Sequence, residues 1–391
     1  MVMKKGIESF ANYDFGLTTE QENRAAQLQN ESIIVDMLFQ GPCGYRSFTE
    51  EMDSQLKIDW NKYHDPVNSL LSGMQWPVWL AMKSEFPEFK KCWEQSGITA
   101  GTRDVQFSSF ELFAVTSSLA IGQFDHFPWL IKALKSEDIR QAKIEKKHAG
   151  IINTQLSRGM QENLLDLLDS AYYLGLRMLM LTYNKMNLIG GGCGERTDIG
   201  ISNYGAQVIT KLNKLGIIVD TGHCGRQTTL DACALSNKPV VASHTSAEAI
   251  YEFPRAKSDA ELNAIASTGG VVGVCALPYF LSSDEGVTID VMLDHIDYIV
   301  NLIGWDHVGI GTDWPLQLTK FLCGEPFATS SGKFGLPNAD KYDRTINLIG
   351  FDDYRDFPNI TRGLVKRDYN DKQIKGILGE NFLRVFEDVC G

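Results

Sequence analysis

The sequence predicts an α/β fold: a (β/α)8 TIM barrel with a long insertion after its first strand. Eight short runs of β-branched and apolar residues recur along the chain, and stretches with helical patterning, such as 204–215 and 247–267, separate them. Most of the runs are almost continuously apolar, as strands buried on both faces of a parallel sheet are. Eight such units in succession fit a closed barrel better than an open doubly wound sheet.

The runs are residues 33–36, 97–101, 149–153, 177–182, 216–220, 239–244, 270–274 and 307–313, with a C-terminal helix expected to include 374–386. All belong to one domain, 1–391. The interval 37–96 is far longer than an ordinary βα loop. It carries Trp60, Tyr63, Trp76, Trp79, Phe86, Phe89 and Trp93, too many large aromatics for a solvated loop. A loop that follows a barrel strand opens on the catalytic face. Two roles are therefore expected of the insertion: an aromatic roof over an active site, or an appendage packed on the barrel rim or on a second subunit.

Composition excludes several classes of function. The 391 residues carry 37 Lys and Arg against 49 Asp and Glu, a net charge of −12. That balance opposes nonspecific nucleic-acid binding and docking on anionic lipid. No run reaches the roughly 18 apolar residues of a membrane helix. Basic residues at Lys4 and Lys5 have no apolar stretch behind them, so no signal peptide is expected. Eight cysteines without small-domain spacing suit a reducing cytoplasm. The expectation is a cytoplasmic homodimer acting on a small molecule.

Polar residues gather at the ends of three runs. His223 follows the run 216–220, His244 ends 239–244, and Asp313 ends 307–313. Imidazoles at two successive strand ends, with a carboxylate at the last, suit one divalent metal, zinc first, and the water bound to it. A lone histidine is more often a satisfied core residue; three residues at corresponding strand ends shift the balance to a site. His64, His126, His148, His295 and His307 do not share that placement.

From about residue 97 onward the chain resembles the membrane (renal) dipeptidase family, metal-dependent hydrolases built on a (β/α)8 barrel. The resemblance rests on Gly216-Ile217-Ile218-Val219-Asp220-Thr221-Gly222-His223, Ser243-His244-Thr245-Ser246-Ala247 and Gly309-Ile310-Gly311-Thr312-Asp313. Leu181-Thr182-Tyr183-Asn184 and Ile377-Leu378-Gly379-Glu380-Asn381-Phe382 follow in family order. Gly192-Cys193-Gly194-Glu195 with His223-Cys224-Gly225 resembles one divergent branch.

The resemblance implies roles and also shows departures. The family's first strand ends in a His-x-Asp pair that binds one of two zinc ions; here Leu38 and Gln40 stand there. The bridging Glu of the third strand is replaced by Asn153 within Gly150-Ile151-Ile152-Asn153-Thr154. Leucine cannot ligate, and Gln and Asn are weak neutral ligands. The expectation is at most one tightly held ion, on His223 and His244 with Asp313. Asp313 is expected to take the proton of the attacking water, and Tyr183, in place of a family His, to donate to an oxyanion. Arg255 matches an Arg that holds a substrate carboxylate. Phe39 and Asn153 are assigned to substrate binding, with Phe39 and a tryptophan of the insertion lining the cavity above the histidines. The implied function is hydrolysis of an amide or related acyl bond of a small, partly apolar substrate. Metal-free acid/base or lyase chemistry on the same barrel, and a binding homologue without catalysis, stay open.

Overall fold

A computed structural model describes residues 10–60, 75–107, 110–155, 164–315, 321, 335–336 and 346–391. Tyr63, His64 and the side chain of Trp60 lie outside the described residues. Among the described residues there are nine parallel strands: β1 (Val35–Asp36), β2 (Ala100–Asp104), β3 (Leu130–Lys132), β4 (His148–Gln155), β5 (Leu176–Met180), β6 (Ile218–Asp220), β7 (Val240–Thr245), β8 (Val272–Val274) and β9 (Val308–Ile310). The order β1-β2-β4-β5-β6-β7-β8-β9 closes on itself, since β1 also pairs with β9 at Asp36 and Ile310. The eight strands of this barrel fall on the eight apolar runs.

The ninth, β3, is not foreshadowed by the apolar pattern. It pairs with the first half of β4, Leu130 to His148 and Lys132 to Gly150, while β5 takes the second half of the same edge from Ile152 onward. A three-residue strand of sequence Leu-Ile-Lys outside the ring has too little pattern to stand out.

Alternation assigns the two faces of each strand. Val35, Ala100, Ala149, Ile151, Met178, Ile218, Val241 and Val271 form one buried cluster inside the barrel. Their neighbours Leu179, Val219, Val240 and Val272 pack outward against the helices. The helix Asn381–Cys390 plugs the barrel floor with Phe382, Phe386 and Val389.

Two helices differ from the sequence reading. The stretch 247–267 is helical only from Asp259 to Ser267, where Ser258 and Glu261 form a capping box; Pro254 interrupts what precedes. The C-terminal segment contains Ile374 to Phe386 but breaks at Gly379, whose backbone (φ 175°, ψ −26°) is not helical. A Cβ there would strike the Ile33 carbonyl at 2.4 Å. Among the described residues, no helix is long and apolar enough to cross a membrane.

The insertion contributes helices Glu50–Trp60, 75–82 and Glu88–Ser96. Phe86, Phe89 and Trp93 are buried in the main core, and Trp76 packs against it; Trp79 is 40% exposed. Phe48 stacks on Phe86 at 5.6 Å. This part of the insertion is therefore built into the barrel wall.

Candidate active site

His244 reaches the barrel mouth because β7 carries an extra residue. Ala242 pairs with Val272 and Thr245 with Val274, so three steps on β7 face two on β8. A bulge of this kind re-aims side chains and is common beside active sites. In a regular strand His244 would share the outward face of Val240 and Ala242. Space for the bulge comes from the neighbouring strands: a Cβ on Gly273 or Gly311 would meet the Ser243 carbonyl at 2.1 or 1.8 Å.

The result is a pair of imidazoles aimed at each other. His223 Nε2 and His244 Nε2 are 2.9 Å apart, and the rings meet edge to face at 4.9 Å. His223 Nδ1 donates to the Asn184 Oδ1 over 2.6 Å. His244 Nδ1 lies 2.8 Å from Ser243 Oγ, whose own proton goes to Asp220 Oδ2 at 2.6 Å, so Nδ1 donates here as well. Both protons are thus held on Nδ1, and both Nε2 atoms present lone pairs. Burial, then the nearby Arg255 cation, pushes both imidazoles well below their ordinary pKa, so both are neutral at pH 7.

Asp313 completes the group. Its Oδ2 is 3.9 Å from His244 Nε2, and its Oδ1 accepts from Gln40 Nε2 at 2.6 Å. The residue sits at φ 55°, in the left-handed region that non-glycine residues rarely occupy. A backbone bond from Asp313 N to the Leu38 carbonyl, 3.0 Å, holds it there. Tyr183 stacks on His223 with centroids 3.9 Å apart. Arg255 is fully buried beneath the pair: Nη1 donates to the Gly222 carbonyl and Nη2 to the His244 carbonyl at 3.1 Å, and Nε has no partner.

The spacing of these donors bears on whether the mouth could hold a metal ion. Two lone pairs converging at 2.9 Å repel unless a cation lies between them. Ligands of one tetrahedral zinc stand about 3.3 Å apart; the histidine pair, at 2.9 Å, lies inside that spacing and Asp313 Oδ2, 3.9 Å from His244 Nε2, lies outside it. Among the described residues, no group of three or more His, Cys, Asp or Glu side chains is placed so that it could hold a metal ion. The other half of the mouth offers Leu38, buried at 2% exposure, Gln40 with its amide spent on Asp313, and Asn153, whose buried Oδ1 has no partner. None of these three side chains carries a negative charge.

Phe39 is placed elsewhere than expected. It packs on Gly101 outside the ring, between Trp93 at 4.7 Å and Tyr354 at 4.6 Å, and lines a cavity to which neither histidine contributes. Asn153 keeps the inward face of Ala149 and Ile151. Cys224 accepts from Thr182 Oγ1, and burial pushes its thiol up to about 11, which suits packing rather than nucleophilic attack. Asn184, Ser243 and Asp220 each lie within the quoted motifs, but pairwise roles in fixing tautomers leave no mark on a single sequence. Asp198 accepts from the Gln227 and Thr228 N–H groups, docking the 184–200 loop on the helix Arg226–Leu235.

A model of the membrane dipeptidase family (Peptidase family M19) matches residues 22–320 and 340–390. The chain belongs to this family. Its similarity to an uncharacterized dipeptidase of Schizosaccharomyces pombe is 31% identity over 230 residues, 57% of this chain and 49% of that protein, so the chain matches about half the length of that curated relative. The crystal structure of an amidohydrolase from Pseudomonas aeruginosa is 27% identical, with a TM-score of 0.73 over 93% of this chain and 98% of that one. A metallo peptidase from Rhodobacter sphaeroides, liganded with a phosphinate mimic of the dipeptide L-Ala-D-Ala, shares the fold at 16% identity, with a TM-score of 0.64 over 92% of this chain and 100% of that one.

Proposed function

We propose that the chain is a hydrolase that cleaves an amide or related acyl bond of a small, partly apolar substrate with the help of one divalent ion, zinc, on His223 and His244. The observation that carries this reading is the convergence of two neutral Nε2 atoms with their protons locked on Nδ1. A bound ion supplies Lewis acidity and lowers the pKa of water toward about 7. Asp313 would serve as the base toward the attacking water at Oδ2, while Gln40 holds Oδ1 and fixes the carboxylate plane. Tyr183 donates to the oxyanion that develops as the acyl carbon becomes tetrahedral. Arg255, with an unpartnered Nε, supplies positive charge under the site for the substrate carboxylate.

The proposal includes a cytoplasmic homodimer. Seven cysteines stand reduced among the described residues, four of them buried, which suits that compartment.

Metal analysis of the purified protein, followed by a hydrolysis screen of N-acyl amino acids and dipeptides, tests the reading. One equivalent that disappears in the His223→Ala, His244→Ala double variant, with turnover, supports it. Two equivalents, or full activity without metal, overturns it.

A further inference from the structure

A cavity of about 110 Å³ lies on the outer side of β2, at the catalytic end of the barrel. Phe39, Val78, Phe89 and Leu119 form its apolar wall, and Arg103 and Gln123 face it with polar groups. Arg103 turns outward from β2 on the face of Gly101. It is 7% exposed, with its guanidinium 4.6 Å from the centre of Trp93 and 5.1 Å from that of Phe39.

Only part of this guanidinium is satisfied. Nη1 donates to the Thr102 carbonyl over 2.8 Å, whereas Nε and Nη2 are buried with no hydrogen-bond partner. The adjacent carboxylate, Asp104, is occupied by the Gln155 N–H at 3.1 Å and by the Gln106 amide. Gln123 Oε1 is likewise buried and unpartnered. Burying donors of a charged group without acceptors is costly, so such an arrangement calls for a ligand. Nε and Nη2 form one edge of the guanidinium, and that edge matches the two oxygens of a carboxylate.

We propose that this cavity binds the carboxylate of a small molecule on the Nε–Nη2 edge of Arg103, with the apolar body of the ligand against Phe39, Val78, Phe89 and Leu119. Gln123 Oε1 accepts from a hydroxyl or N–H of the ligand. Two sources share this chemistry. Gln40 lies in the cavity wall and donates to Asp313, so the carboxylate belongs either to the far end of a substrate seated at the histidines or to a separate effector. The first source rests on the hydrolase reading; the site itself does not.

Calorimetric titration of the full-length protein with phenylacetate, against the neutral phenylacetamide, tests the site without reference to turnover. Phenylacetate is expected to bind at least tenfold more tightly than phenylacetamide. Arg103→Met should remove that preference, and Arg103→Lys, which keeps charge but loses the fork, should retain part of it. Leu119→Trp fills the cavity, leaves Arg103 in place and should also abolish binding. No binding of millimolar phenylacetate to the wild type, equal binding of the amide, or unchanged affinity in either Arg103→Met or Leu119→Trp overturns the proposal. N-phenylacetylglycine assigns the source. If it binds tighter than phenylacetate and loses the gain in Asp313→Asn, the cavity holds a substrate end. If it gains nothing and Asp313→Asn is without effect, the site serves a free effector.

Discussion

Gln40 and Asp313 meet at the ends of the adjacent strands β1 and β9, Nε2 donating to Oδ1 over 2.6 Å. A neutral amide at position 40 orients Asp313, where a carboxylate would repel it. Gln40→Leu should lower kcat more than it raises KM. Asp313→Asn should cost about 10²–10⁴-fold in kcat, the range of a lost general base. An unchanged kcat in Gln40→Leu would show that the contact is only structural.

Asn184 fixes the proton of His223, so Asn184→Leu should release the ring to either tautomer. Losing an outer partner of a metal-bound histidine costs about 10–100-fold in metal affinity. Competition with a chromogenic chelator measures it, and melting of the apoprotein reports whether the fold has also been damaged.

Stoichiometry follows from charge. The triple variant Leu38→His, Gln40→Asp, Asn153→Glu returns an imidazole and two carboxylates to the apolar half of the mouth. Metal analysis should then rise from one ion to two. Continued binding of a single ion would mean that backbone placement, not the missing donors, closes that half-site.

Two buried carboxylates give folding stability an unusual pH dependence. Burial pushes both Asp36 and Asp104 up to about 7. The unfolded values lie near 4, so the folded state binds more protons between those limits. Their contribution is fully present below about pH 4 and is lost as pH rises through about 7. Urea midpoints should be higher at pH 5 than at pH 8, and Asp104→Asn should flatten that difference. A midpoint that rises from pH 5 to pH 8 in the wild type contradicts the sign.

Within the insertion, Trp93 and Trp79 should respond in opposite ways. Trp93 is 0% exposed and Trp79 40% exposed. Trp93→Ala should cost about 3–5 kcal/mol, as large-to-small core substitutions do, whereas Trp79→Ala should stay within about 0.5 kcal/mol. Equal losses in urea titrations would show that Trp79 is covered in solution.

The eight barrel strands and the strand-end placement of His223, His244 and Asp313 were legible in the sequence. Strands buried on both faces must be apolar along their length, and a barrel puts polar residues at their C-terminal ends. That Leu38, Gln40 and Asn153 carry no charge was equally legible, because residue type alone decides whether a side chain can bind a dication. What only the tertiary structure decided is direction. A bulge in β7 turns His244 inward, Asn184 and Ser243 choose its tautomer and that of His223, and Gln40 finds Asp313 273 residues away. Phe39 leaves the histidines for the outer wall because Gly101 opens space for its ring there. Pairing between residues distant in the chain has no local period, so only the closed barrel reveals which polar atoms meet and which, like the Nε and Nη2 of Arg103, are left waiting for a partner.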